Sequence, residues 1–248
     1  MDGTLLSALG IGTLVNAAGI AIGGVLGLTV KKPVSPANQT FGKVMLGAAA
    51  VYFGLRLTWL SVHGPFLQML KQVAIVLLAM MLGKMTGRWL RLQKASNRLG
   101  RFARERMERA TPENPRRWSD GFNTCALLFC AAPLAVLGSV QDGLSGYCQP
   151  LIIKAVMDGL AAMAFAASFG WGAALSALPV LVYQGTITLL VRWAEPFLRG
   201  QDLVDPVNAV GGLLVFCVAL IILELKKIEL TDYLPSLAFA PLITWLWR

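Results

Sequence analysis

Stretches of about twenty mostly apolar residues, the length a helix needs to cross the hydrocarbon core of a bilayer, follow one another along almost the whole of this chain. They read roughly as Ala8–Val30, Gly42–Ser61, Phe66–Leu90, Phe122–Val140, Leu151–Gly170, Gly172–Ala194, Val207–Leu225 and Tyr233–Trp247. The last holds Pro235 and Pro241, which predict a broken or tilted segment. No stretch alternates with period two, so a membrane barrel is not expected. With 56% hydrophobic and only 14% charged residues in 248, the chain carries about half the charge of a soluble domain. The expected fold class is an all-α membrane protein of about eight transmembrane helices. Asp2 in place of a basic start, and Lys31-Lys32 after the apolar run, argue against a signal peptide. The four cysteines read as packing thiols.

The formal charge of +9 is concentrated, because Lys84 to Arg117 hold eleven Lys and Arg against three Glu. Basic loops stay on the cytoplasmic side. Placing this segment there puts Lys31, Lys32, Lys43, Lys226 and Lys227 inside as well, with both termini on the periplasmic side. Residues 88–117 read as a basic cytoplasmic helix and linker. Leu92, Leu99, Phe102 and Met107 recur at helical spacing, while Arg91, Lys94, Arg98, Arg101 and Arg104 cover the other faces. Such a helix suits anionic headgroups; with few interleaved aromatics, nucleic acid is not an expected partner. Thr111-Pro112-Glu113-Asn114-Pro115 ends it.

The two halves echo each other. Met45-Leu46-Gly47-Ala48-Ala49-Ala50-Val51-Tyr52-Phe53 in the second span matches Ala209-Val210-Gly211-Gly212-Leu213-Leu214-Val215-Phe216-Cys217 in the seventh, and spans 1 and 6 match more weakly. The domain organisation expected is one integral membrane domain over 1–248. In it, repeat A (8–90) and repeat B (172–247) flank two inserted spans (122–170). An offset of five spans makes the repeats inverted, an architecture recurrent in secondary transporters.

Polar groups in hydrocarbon are costly and so informative. At 1.5 Å per residue, Asn16 and Asp158 lie roughly 12 Å deep and Gln184 roughly 15 Å from the same side. Lys154 stands one turn before Asp158, close enough to pair with it. Gln141 and Asp142 end the fourth span in Ser139-Val140-Gln141-Asp142-Gly143, and Tyr183 adjoins Gln184. The candidate solute- or ion-binding residues are therefore Asn16, Gln141, Asp142, Lys154, Asp158, Tyr183 and Gln184. The two aspartates are the cation or proton ligands, and Lys154 is a partner released on binding. Structural alternatives stand beside each: a mutually neutralising pair for Lys154 and Asp158, a turn residue for Asp142, and interhelical hydrogen bonds for Asn16 and Gln184. Arg56 and Lys71, near the outer side, leave room for an anionic solute.

Gly19, Gly23 and Gly27 form a stripe on the first span, and Ala155, Gly159 and Met163 form one on the fifth. Small stripes permit close helix packing, in a compact bundle or a homodimer. Gly10-x-Gly12 lacks the preceding strand of a dinucleotide site, no phosphate loop occurs, and the single histidine, His63, leaves no triad. Neither an enzyme nor a cofactor is expected.

Several motifs resemble one family. They are Gly12-Thr13-Leu14-Val15-Asn16-Ala17-Ala18-Gly19, Leu127-Leu128-Phe129-Cys130, Gly138-Ser139-Val140-Gln141-Asp142-Gly143-Leu144, Lys154-Ala155-Val156-Met157-Asp158-Gly159, Ser176-Ala177-Leu178-Pro179-Val180-Leu181-Val182-Tyr183-Gln184-Gly185 and Ala209-Val210-Gly211-Gly212-Leu213-Leu214. Together they are similar to the bacterial membrane family of domain of unknown function 554, the YqgA/YdfK-like proteins. The resemblance implies a bacterial inner-membrane protein often labelled a transport protein, without a substrate. After Gln-Asp-Gly such proteins tend to have Gly-Asp-His, where this chain has Gly146-Tyr147-Cys148. A role of that acidic loop pair does not carry over.

The expected function is a secondary transporter or channel-like carrier of a small solute or ion, with Na⁺ or H⁺ among the ions considered and the site between spans 1, 4, 5 and 6. The alternative is a non-transporting scaffold or sensor whose basic helix docks a partner or anionic lipid.

Overall fold

The computed structural model describes residues 10–29, 35–109 and 117–247, and every regular element among them is helical. In chain order these are α1 (Ile11–Thr29), α2 (Pro36–Leu60), α3 (Phe66–Trp89), α4 (Leu92–Glu108), α5 (Arg117–Ala131), α6 (Pro133–Ser145), α7 (Gln149–Phe169), α8 (Trp171–Leu175), α9 (Ala177–Gly200), α10 (Val204–Ile222), a 3₁₀ turn (Leu230–Tyr233) and α11 (Ser236–Leu246). Asp2, Ala8, Val30, Lys31, Lys32, the Thr111–Pro115 break and Arg248 lie outside the described residues, as does the side chain of Met107.

Among the described residues six helices are long and apolar enough to cross a membrane, or seven if the bent pair α5 and α6 makes one span. The chain is a multi-pass membrane protein. The expected fourth span is thus not one straight rod: α5 and α6 meet at 61°. Pro133 has no N–H to donate and holds Ala132 extended (φ −63°, ψ 129°), which stops one helix and starts the next. In place of the expected eighth span stand the 3₁₀ turn and α11, whose 11 residues rise about 17 Å and fall short of the hydrocarbon thickness.

The chain divides into two compact units. The first comprises the described residues up to Pro36 together with Ala95–Leu189. In it α1 and α7 run in the same direction, with their stripes of small residues face to face. A methyl group added to Gly19 would come within 2.7 Å of the Ala155 carbonyl oxygen; at Gly23 and Gly27 it would collide with those of Gly159 and Met163. Backbone therefore packs on backbone, and dispersion between close-fitting surfaces holds the pair where no hydrophobic drive exists between helices in lipid. Gly170 (φ +71°) reverses the chain into α8, which lies against α1 at Gly24 and Ala174. Ile20, Cys125, Phe129, Ala162, Ala166, Ala173 and Val180 form the apolar core of this unit.

The second unit comprises Ala37–Lys94 and the described residues from Leu190 onward. Here Gly54 of α2 faces Gly212 of α10, and the Thr58 hydroxyl donates to the Ala209 carbonyl oxygen at 3.2 Å. Gly83 and Gly87 of α3 seat Ser236 and Asp232. Buried Asp232 accepts the Gln93 backbone N–H at 2.8 Å, which anchors the first turn of α4. His63 lies in an exposed turn whose backbone N–H and C=O are both bonded by the Gln72 side chain.

Replacing Gly23 by Ala should lower thermal stability in detergent by roughly 1–3 kcal/mol, because helix backbones must separate. Gly42→Ala, where an added methyl meets nothing within 4 Å, should instead be neutral or stabilising by up to about 1 kcal/mol through helix propensity. Melting curves of the two variants against the parent test the difference in sign.

Candidate functional site

Four helices of the first unit each carry two polar residues on one face. Thr13 and Asn16 on α1 and Ser139 and Asp142 on α6 are three apart; Lys154 and Asp158 on α7 and Gln184 and Thr188 on α9 are four apart. All eight are buried.

The Lys154 ammonium, 2% exposed, forms an ion pair with the Asp158 carboxylate and lies 5.9 Å from the centre of the Phe129 ring. The Asn16 amide donates both to Asp158 Oδ2 at 3.4 Å and to Gln184 Oε1 at 3.1 Å. The residues placed at one depth by the sequence are thus linked: Asn16 on α1 bridges the Asp158 carboxylate on α7 and the Gln184 amide on α9. A second link joins the Thr13 and Thr188 hydroxyls at 3.2 Å, and Thr188 donates to the Ser139 carbonyl oxygen at 3.3 Å.

The cluster is not closed. Asn16 Oδ1, Gln184 Nε2, Ser139 Oγ and both amide atoms of Gln141 are buried without a hydrogen-bond partner among the described residues. A buried polar group left unsatisfied costs about 1–3 kcal/mol, so polar residues that merely tie helices together should satisfy one another. These five atoms retain unused hydrogen-bonding capacity.

Asp142 is placed differently. Its Oδ2 accepts the Thr13 backbone N–H at 3.2 Å, at the start of α1. There a carboxylate satisfies an orphan donor and meets the positive end of the helix dipole. Gly10, at φ +82°, and Gly12 make room: a side chain at Gly10 would collide with the carboxylate, and one at Gly12 would come within 3.0 Å of it. Burial, and next the Asp142 charge, push the Cys148 thiol in the following loop above its ordinary value. Tyr183 makes no hydrogen bond to the cluster among the described residues and is 37% exposed.

Asp158 also reaches a hollow of about 690 Å³, lined across from it by Asn97, Arg101 and Arg104 of α4 and flanked by Phe129 and Ala132. The sequence reasoning missed Thr13, Ser139 and Thr188 as members of the cluster. The signal was there in their spacing of one helical turn from Asn16, Asp142 and Gln184. Among the described residues no group of three or more His, Cys, Asp or Glu is placed to hold a metal ion.

The chain matches the family described as Protein of unknown function (DUF554) over residues 11–245. It is 28% identical over 233 residues to the "Uncharacterized membrane protein YdfK" of Bacillus subtilis (strain 168), covering 94% of each chain. With the "Uncharacterized protein YqgA" of Escherichia coli (strain K12) it shares 27% identity over 239 residues, 96% of this chain and 97% of that one. No solved structure matches.

Lys154→Met alone should destabilise the protein by about 3–5 kcal/mol, because the Asp158 charge is left buried without its partner. Adding Asp158→Leu should recover most of that loss. Unfolding of the single and double variants in mixed detergent measures the recovery.

Proposed function

The chain belongs to the DUF554 family, and we propose that it is a secondary transporter or channel-like carrier of a small solute or ion across the bacterial inner membrane. The observation that carries this is the pair of unsatisfied amide atoms, Asn16 Oδ1 and Gln184 Nε2, in the hydrogen-bonded chain that leads to the Lys154–Asp158 pair, on helices apolar enough to span a bilayer. Asn16, Gln184 and Gln141 supply neutral donors and acceptors, Asp158 takes a cation or proton, and Lys154 is then released. Asp142 serves this arrangement by fixing the start of α1, and Tyr183 stands beside the path.

Support for inverted repeats comes from how matching spans meet. In the first unit α1 meets α9 head to tail, Thr13 on Thr188 and Asn16 on Gln184. In the second, Gly47 of α2 lies on Leu223 just beyond α10 and Gly54 on Gly212. Gly83 and Gly87 of α3 lie on Ser236 and Asp232. Spans 1 and 6, 2 and 7, and 3 and 8 therefore form antiparallel pairs, as is expected of two sequence repeats that enter the membrane from opposite sides. Basic α4 faces the cytoplasm by the positive-inside rule.

A scaffold or sensor role draws on α4 itself, where Ala103 is buried while Arg98, Arg101 and Arg104 are exposed, a surface suited to anionic lipid. The two readings separate in proteoliposomes. Asp158→Asn should reduce solute- or ion-coupled flux by at least about tenfold, the equivalent of about 1.4 kcal/mol in the rate-limiting barrier, with the fold intact by circular dichroism. Unchanged flux removes Asp158 from the mechanism. Dependence of the cellular phenotype on α4 with flux untouched favours the scaffold.

A further inference from the structure

The carrier reading leaves the charge of the cargo open, and the hollow beside Asp158 supplies a reason to assign it. Arg101 and Arg104, one turn apart on α4, line that hollow and make no ion pair or hydrogen bond among the described residues. Their helix does form one such pair nearby, between Arg106 and Asp120 at 3.2 Å, so carboxylate partners are not foreign to this face. Guanidinium groups present a fork of donors matched to the two oxygens of a carboxylate or phosphate. Behind Asp158 stands the Lys154 ammonium, buried, with that carboxylate as its only ion-pair partner among the described residues. Two sources of positive potential, the Arg101 and Arg104 guanidiniums and the Lys154 ammonium behind Asp158, thus meet at one hollow, and they are opposed by the Asp158 carboxylate and the carbonyl end of α5 at Ala131.

We propose that this hollow binds a small soluble oxyanion, a carboxylate or a phosphate- or sulfate-like group, and that Asp158 accepts a proton when the anion binds. This rests on the carrier reading only in treating the bound anion as cargo. The charge balance is simple. A proton from water adds to the Asp158 carboxylate, which becomes neutral, and the ion pair with Lys154 breaks. The freed ammonium, one helical turn away, takes the incoming anion as its new counter-ion. With a monoanion one proton enters, no covalent bond to carbon or phosphorus changes, and the site gains no net charge; the second charge of a dianion such as sulfate is met by the Arg101 and Arg104 guanidiniums. A buried cation without a counter-ion is thereby avoided in both states. The groups facing Asp158 are Lys154 on its own helix, the neutral Asn16 amide on α1, the Cys130 thiol on α5, and Arg101 and Arg104 on α4. Of these, Asp158 is the group whose protonation removes a negative charge from the hollow, so anion affinity rises as pH falls.

The test is binding to the full-length protein in detergent, by thermal shift and calorimetry, with lactate, gluconate and sulfate, none of which titrates between about pH 6 and pH 8. All of these salts are compared at matched ionic strength, with Na⁺, K⁺ and Mg²⁺ chlorides as the cation arm. At least one oxyanion should bind about tenfold tighter at the lower pH. Arg101→Gln with Arg104→Gln should weaken it by about tenfold or more, whereas Arg98→Gln, outside the hollow, should not. Asp158→Asn, fixed in the neutral form, should bind the anion equally at both pH values. Stabilisation by cations alone, or anion affinity indifferent to Arg101 and Arg104, overturns the assignment. So does a response confined to phosphatidylglycerol in nanodiscs, which would make the hollow a lipid headgroup site. Anion binding with the expected pH dependence but no flux would uphold this assignment and remove the carrier reading.

Discussion

The first unit depends on the backbone approach between α1 and α7. A polar cluster in hydrocarbon can persist only where helices come close enough for its members to bond one another. The glycines at 19, 23 and 159 remove the side chains that would hold these helices apart. Close packing then does two things together. It supplies the dispersion energy that holds helices in a solvent as apolar as they are, and it brings the Asn16 amide within reach of Asp158. Were either stripe to carry a branched residue, the amide and the carboxylate would be stranded apart, each with its desolvation cost unrelieved.

The Lys154–Asp158 pair shows why such a cluster is more than structural filler. Desolvating two charges costs several kcal/mol per ion, and mutual attraction offsets this only when the remaining hydrogen-bonding capacity is also met. Asp158 has help from Asn16, yet Asn16 itself keeps a spare oxygen and Gln184 a spare N–H. An apolar pair of similar volume would hold α7 at least as well. Retaining two charges, five unsatisfied atoms and a hollow at one edge is costly for stability and makes sense for a site that exchanges partners.

Much of this was legible in the sequence because bilayers simplify the code. Span length, the location of Lys and Arg, and the rarity of polar residues in apolar runs gave most of the helices and four directly bonded members of the cluster: Asn16, Lys154, Asp158 and Gln184. The glycine stripes were visible as spacing, although only the fold shows that the two stripes face each other. Three things were not legible. The break at Ala132-Pro133 hides in a run that is apolar throughout, since hydropathy does not register a bend. The role of Asp142 depends on a tertiary partner, the N-terminus of α1, more than a hundred residues earlier in the chain. Tyr183 adjoins Gln184 in sequence, but a helix turns about 100° per residue, so adjacency in a helix places side chains on different faces.

The proposed repeats sharpen the assignment of function to one place. Matching spans meet in antiparallel pairs, yet the chemistry of the contact differs. Where α2 meets α10 and α3 meets the turn before α11, the crossing is made by glycine against backbone or a small side chain, with Thr58 and Asp232 bonded and the Thr231 hydroxyl left buried without a hydrogen-bond partner among the described residues. Where α1 meets α9, Thr13 faces Thr188 and Asn16 faces Gln184. The same antiparallel crossing is closed by backbone contact in one unit and by amides and hydroxyls with unused capacity in the other. Of these crossings, the one joined by the most side-chain hydrogen-bonding groups is the α1–α9 crossing beside the Asp158 carboxylate. On the carrier reading proposed above, its unused amide capacity is what a bound solute or ion would engage.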